Sequence, residues 1–231
     1  MIIPAAMLLA CAWSAGAAPA SAPSTRPAAT QPKPRSRFAD FSKLTQQAKR
    51  VTGLFDLYLK GDNLYMEIKP RQLGKDLICA ISIARGAGSK VIVGQTLDTL
   101  LVRFERAGDR ILFKRRNPRF RARPGTPMGE AVRLAYSDSV LAAARIESIN
   151  PASKGILINL ASIFMTDLPR LGSGFDAGRS HWGRIKAFPK NVELEVAAVY
   201  RLKKTGTSGP SPLDAVIDVR GMQITVHYSI S

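Results

Sequence analysis

The sequence predicts a mainly β fold, a β-rich α+β domain of antiparallel hairpins in a sandwich or curled sheet with a few short helices. Three observations predict it. Apolar and polar residues alternate in short runs along much of the chain, the period of a half-buried strand. Glycine-containing triplets separate neighbouring runs at hairpin distance. A hydrophobic share of 45% against 22% charged residues belongs to a chain that folds around a core.

The elements follow in order. Phe38, Phe41, Leu44, Ala48 and Val51 recur at three- and four-residue spacing and predict one short amphipathic helix, with Gly53 past its end as a C-cap. Phe55, Leu57 and Leu59 alternate with polar neighbours, as do Leu64, Met66 and Ile68. Gly61-Asp62-Asn63 between them predicts a hairpin. The unbroken apolar run Leu77–Ile83 predicts a central strand buried on both faces. Leu100, Val102 and Phe104 lead through Ala107-Gly108-Asp109 into Ile111-Leu112-Phe113, a second hairpin. Arg119, Arg121 and Arg123 alternate with Phe120 and Ala122, which predicts a strand with three guanidinium groups on one face. Further along, Glu130–Ser137 reads as a helix. Ala142–Asn150 and Gly155–Leu160 read as strands, and Ile163, Phe164 and Leu168 as a helical turn ended by Pro169. Leu171–Gly183 is a glycine-rich loop carrying His181 and Trp182. Val192–Ala198, Ala215–Val219 and Met222–Ile230 complete the strands, with Lys203–Pro212 as a loop.

The ends and the charge place the chain. Met1–Ala20 is uncharged, with an apolar run too short for a membrane span and small residues after it. It predicts a signal peptide (1–20) cleaved near Ala17 or Ala20, although its start lacks a basic residue. Cys11 offers lipid attachment as the alternative. Residues 21–37 are a linker rich in proline and alanine, and 38–231 is a single β-rich domain. The expected location is therefore periplasmic or extracellular, with no transmembrane helix in the mature chain. A net charge of +17 attracts anions such as lipopolysaccharide, acidic glycans or an acidic partner, and equally serves solubility. No specific nucleic acid is expected. Lys114, Arg116, Arg119, Arg121 and Arg123 are the candidate anion-binding residues, because guanidinium forks suit phosphate and carboxylate. His181 and Trp182 are the candidate binding loop. Cys79 lies in an apolar run and reads as a small hydrophobe.

The search for catalytic chemistry returns no pattern. The chain has two histidines, His181 and His227, and no H-E-x-x-H; with one cysteine beyond the leader they make no zinc cage. It has no G-x-S-x-G elbow and no phosphate loop. His227 alternates with Val226 and Tyr228 and reads as a strand residue without a chemical role. No cofactor, no metal and no catalytic residue is expected, and the chain is read as not an enzyme.

Several segments, in their order, resemble a known family. They are Gly53–Ile68, Gly86-Ala87-Gly88, Val102–Arg121, Tyr136–Val140, Lys186–Glu193 and Val226–Ser229. Together they resemble the N-terminal domain, of unknown function, of large secreted bacterial zinc-dependent metallopeptidases whose catalytic part carries H-E-x-x-H. The resemblance covers roughly Phe38 to Ser231. Asn159 departs from it, since the family tends to show an aspartate there. The resemblance implies a non-catalytic accessory domain, as a truncated or split product, that packs against a peptidase catalytic domain or presents substrate to it. The alternative from the residues alone is a free-standing exported binding protein that uses a basic face on anionic envelope polymers.

Overall fold

The computed structural model describes residues 37–231 apart from 87, 89–90, 172–173, 202–215 and 217. The expected leader, Cys11, the linker as far as residue 36 and the 203–212 loop lie outside the described residues. Residues 36–231 form one compact unit.

The chain runs α1 (Phe41–Thr45), β1 (Lys49–Val51), β2 (Asp56–Lys60), β3 (Asn63–Ile68), β4 (Asp76–Arg85), β5 (Thr96–Ala107) and β6 (Arg110–Arg115). It continues through α2 (Pro127–Ala135), β7 (Ser139–Ile149), β8 (Ile156–Asn159), α3 (Ala161–Phe164), β9 (His181–Ala187), β10 (Val192–Tyr200) and β11 (Met222–Ile230). The strands form one sheet in the order β1-β2-β3-β8-β7-β6-β5-β4-β11-β10-β9. Every neighbouring pair is antiparallel. The sheet is the expected curled one, and it curls until it is nearly closed.

Alternation explains the curl. One face of each strand is apolar, and a right-twisted sheet buries such a face by wrapping around it. Leu57, Leu64, Met66, Ile68, Val102, Phe104, Ile111, Phe113, Leu194, Val196 and Val226 are fully buried inside. An aromatic chain crosses this interior: Phe55 against Phe104 (5.8 Å), Phe104 against Phe113 (5.2 Å), Phe113 against Phe164 (5.9 Å) and Phe164 against Tyr228 (4.9 Å). Phe164 and Ile163 come from α3, so this short helix plugs the barrel. Asn159 starts it: its side-chain oxygen accepts from the Ala161 N–H (2.9 Å).

Several expectations are corrected. The apolar stripe from Phe38 is helical only over Phe41–Thr45, and Val51 lies on β1. The helix ends at Gln46, so Gly53 is no C-cap. Its role is a close approach: a Cβ there would sit 2.6 Å from the backbone nitrogen and oxygen of Phe188. Next to it the Leu54 N–H donates to the Phe188 carbonyl (2.6 Å), a link between the two ends of the sheet. The first hairpin turns on two residues, since Lys60 pairs with Asn63, and Gly61 supplies the positive φ (56°) such a turn needs. β4 is buried on one face only: Cys79, Ile81 and Ile83 point inward while Ile78 is half exposed. A barrel wall has one interior, so a continuous apolar run does not imply two buried faces. Ala215–Val219 does not form a strand at its described residues 216, 218 and 219.

Candidate functional site

The segment between β6 and β7, residues 116–138, leaves the barrel wall and carries the candidate basic residues. Arg119–Arg123 is not a strand but an irregular stretch. It finds no sheet neighbour because β6 already pairs with β5 and β7 on its two edges. Lys114 and Arg116 are held by carboxylates instead of facing a ligand. Lys114 Nζ lies 2.7 Å from Glu105 Oε2, and Arg116 bridges Asp76 (3.1 Å) and Asp138. The Asn117 N–H donates to Asp138 Oδ1 (3.0 Å), which ties down the start of the insertion. Burial pushes the Asp138 carboxyl up, but the bonds from Arg116 and Asn117 outweigh it and hold it below the usual carboxylate range. The five candidates thus divide into two anchors and three others.

Those three, Arg119, Arg121 and Arg123, form no ion pair among the described residues. Arg121 Nε donates only to the Pro118 carbonyl (3.1 Å). The insertion closes with α2, capped by Thr126, whose hydroxyl oxygen accepts from the Gly129 N–H (3.0 Å). Phe120 stacks on Tyr136 with ring centroids 3.8 Å apart and planes 13° from parallel. Both rings stay exposed, at 45% and 43%, and Met128 and Leu134 on α2 are more so. Between α2 and the irregular stretch lies a cleft of about 600 Å³ lined by Arg116, Phe120, Arg121, Val132, Arg133 and Tyr136. A flat aromatic face with the Arg121 guanidinium in the same cleft can stack on a sugar or aryl ring and meet an anionic substituent.

His181 and Trp182 are not in a loop; they open β9. Trp182 lies opposite Val196 and packs against the core, while His181 is exposed. The Trp182 indole N–H is buried and has no hydrogen-bond partner among the described residues. Both residues line a second cleft, of about 830 Å³, together with Asp62, Met165 and Arg179.

Two polar clusters went unnoticed in the sequence. On the outer wall, Glu193 pairs across the ladder with Ser229, and Glu195 with His227. Glu193 accepts from Ser229 Oγ (2.8 Å) and contacts His227 Nε2, and Glu195 receives a fork from Arg184 (2.8 and 3.0 Å). Here the carboxylate stands between the serine and the histidine. A nucleophile relay needs the histidine in the middle, so this network is not one. The second cluster is buried. Asp56 and Glu67, both 2% exposed, face each other across β2 and β3. Asp56 Oδ2 meets Lys69 (3.1 Å) and Arg50 (3.3 Å), while its Oδ1 is buried with no hydrogen-bond partner among the described residues. Glu67 accepts from the Tyr58 hydroxyl (2.9 Å), Asn150 (3.0 Å) and Ser153. These positions alternate with the inward Leu57, Met66 and Ile68, yet Asn150, Ser153 and Gly155 after β7 close over Glu67, Arg50 and Lys69 meet Asp56, and Phe41 lies edge-on to Tyr58 (5.8 Å). Among the described residues no three His, Cys, Asp or Glu side chains are grouped to hold a metal ion. No helix there is long and apolar enough to cross a membrane.

Comparison with protein families matches residues 94–231 to a domain of unknown function, DUF5117. The chain belongs to the DUF5117 family. Residues 38–86 match a second domain of unknown function, DUF5118. In this DUF5117 member the boundary between the two matches falls between β4 and β5, two strands that pair directly. Residues 38–86 also lend β3 to β8 of residues 94–231, so the two matches share one sheet and one core. No curated protein and no solved structure matches the chain.

Proposed function

We propose that this chain is a non-catalytic accessory domain of a secreted zinc-dependent metallopeptidase and that it works by binding, through the insertion between β6 and β7. The binding half of this reading is carried by one observation: an exposed Phe120–Tyr136 stack whose cleft is lined by Arg121, flanked in sequence by Arg119 and Arg123, none of the three in an ion pair among the described residues, with the insertion tied to the barrel by Arg116 and Asp138. Stacked rings left in water cost solvation that a core position would relieve, and a ring-bearing anion would cover them. The peptidase half draws on the resemblance of Gly53–Ile68 and the other matched segments. Acidic glycans and lipopolysaccharide present both rings and anionic groups, which suits an exported chain of net charge +17. A free-standing exported binding protein that uses the same cleft on anionic envelope polymers is the second reading, favoured by the same arginines.

Binding to heparin and to lipopolysaccharide tests the cleft. Serine at Arg119, Arg121 and Arg123 together should weaken it more than serine at the dispersed Lys75, Lys154 and Lys190. Equal losses would mean that net charge alone is responsible. Co-purification with an H-E-x-x-H peptidase domain from the same genome separates the two readings, since only an accessory domain forms that complex.

A further inference from the structure

Among the described residues the sheet has eleven strands, all antiparallel to their neighbours, with β1 and β9 at its ends. Ten reversals separate those ends, so β1 and β9 run in the same direction. A ring of purely antiparallel neighbours requires an even number of strands. This sheet therefore closes directly only by adding a parallel rung, whereas one further strand between β1 and β9 would be antiparallel to both. We infer that the seam between β1 and β9 is a binding site for an extended segment of a partner polypeptide, which enters as a twelfth strand with apolar side chains inward and acidic side chains outward.

The seam has the parts such a strand needs. It is pinned at one end by Gly53 against Phe188 and the bond from Leu54 to the Phe188 carbonyl. Beyond that link lies a cavity of about 260 Å³ lined by Val51, Leu57, Leu59 and Leu64 on one side and Gly183 and Ile185 on the other. The cleft at Trp182 continues it toward the far end, where Leu59 and Gly183 line both. The Phe188 N–H bonds to the Asn191 carbonyl (2.7 Å). Antiparallel ladders alternate bonded and non-bonded pairs, so Ile185 and Ala187 turn their N–H and C=O groups into the seam. Those groups, repeating along an edge, match another backbone and no small ligand. From the level of Val51, which pairs with Leu57, to Gly61 the β2 edge spans five residues, roughly 17 Å of strand. On the outer rim Lys49 and Lys186 line the cavity and form no ion pair among the described residues, whereas Arg50 and Arg184 are held by Asp56 and Glu195; the two lysines favour acidic outward side chains. The chain's own stretch at 20–37 fits poorly. Pro23, Pro27, Pro32 and Pro34 offer no N–H to a ladder, and Arg26, Lys33 and Arg35 would meet like charge.

The full chain is incubated with a capped heptapeptide of alternating glutamate and valine, and amide hydrogen exchange is followed along β9. The peptide should slow exchange at Ile185 and Ala187 by about tenfold or more at saturation. The same peptide N-methylated at alternate nitrogens should give no protection, because it keeps its side chains and loses its ladder donors. Replacing glutamate by lysine should weaken binding by about tenfold. Serine at Arg119, Arg121 and Arg123 should leave peptide binding unchanged, so this site stands or falls apart from the insertion cleft. Three results overturn the proposal. The first is no protection at millimolar peptide. The second is equal binding of the N-methylated form. The third is a concentration-dependent dimer that protects the same amides without peptide, which would make a second copy the occupant.

Discussion

Replacing Glu67 by alanine should be among the most destabilising polar changes in this protein. Its carboxylate is 2% exposed and accepts from Tyr58 at 2.9 Å, from Asn150 at 3.0 Å and from Ser153. A hydrogen bond to a charged group contributes about 1.5–3 kcal/mol, and donors left unsatisfied cost about as much. The three do not add, because Asn150 and Ser153 are partly exposed and turn to water, while the Tyr58 hydroxyl is buried and does not. The expected loss is about 3–5 kcal/mol, that of removing one partner from a buried charged cluster. For a domain of this size it lowers the melting temperature by roughly 6–20 °C. Glu67→Gln keeps an acceptor for Tyr58 and removes the like charge facing Asp56, so it should lose under about 2 kcal/mol. Urea denaturation and calorimetry of both variants, with Glu130→Ala on exposed α2 as reference, decide it. A loss for Glu67→Ala no larger than that of Glu130→Ala would refute the reasoning, since the cluster would then contribute nothing to holding β2 and β3 to the turn after β7.

Four further outcomes follow from the geometry. Gly53→Val should destabilise by about 1–3 kcal/mol and speed hydrogen exchange in β9, because its Cβ meets Phe188 backbone atoms at 2.6 Å; unchanged exchange would remove Gly53 as the pin of the seam. Phe120→Ala should reduce lipopolysaccharide binding with little change in melting temperature, as the ring is 45% exposed; a large thermal loss would make the stack structural. Cys79 should resist a thiol reagent until global unfolding, because burial, and secondarily Asp98, pushes its pKa up to about 12; rapid labelling of the folded chain contradicts this. Acid stability should also respond. Arg184's hydrogen bonds hold the Glu195 carboxyl below its usual range against the opposing effect of burial, and Asp138 is likewise depressed. A depressed folded pKa adds stability above the ordinary carboxylate pKa and loses it as pH falls through the folded value. The melting temperature should therefore hold down to about pH 5 and fall below about pH 4, less steeply in Glu195→Gln; identical acid limbs would count against it.

Much of the fold was legible along the chain. The β2–β3 and β5–β6 hairpins, β10 and β11 follow from two-residue alternation and turn glycines, because a strand's side chains and a tight turn's dihedrals are local matters. The cationic character of the insertion was visible as well, since Arg119, Arg121 and Arg123 are simply there to be counted. Its shape was not. Alternation in that stretch suggested a strand, yet a strand needs a neighbour, and both edges of β6 were taken by segments distant in sequence. His181 and Trp182 show the converse: a glycine-rich stretch reads as loop until β10 offers it an edge. Alternation also could not say which arginines stay unpaired, because Asp76 and Asp138, the partners of Arg116, lie 40 and 22 residues away. Gly53 looked like a helix end because nothing local announces Phe188. The charges, the periods and the turns were properties of the chain itself. Which face of β4 is wet, which outward carboxylates are covered, and the parity that leaves β1 and β9 unpaired arose only when the sheet curled, because long-range register and closure belong to no segment alone.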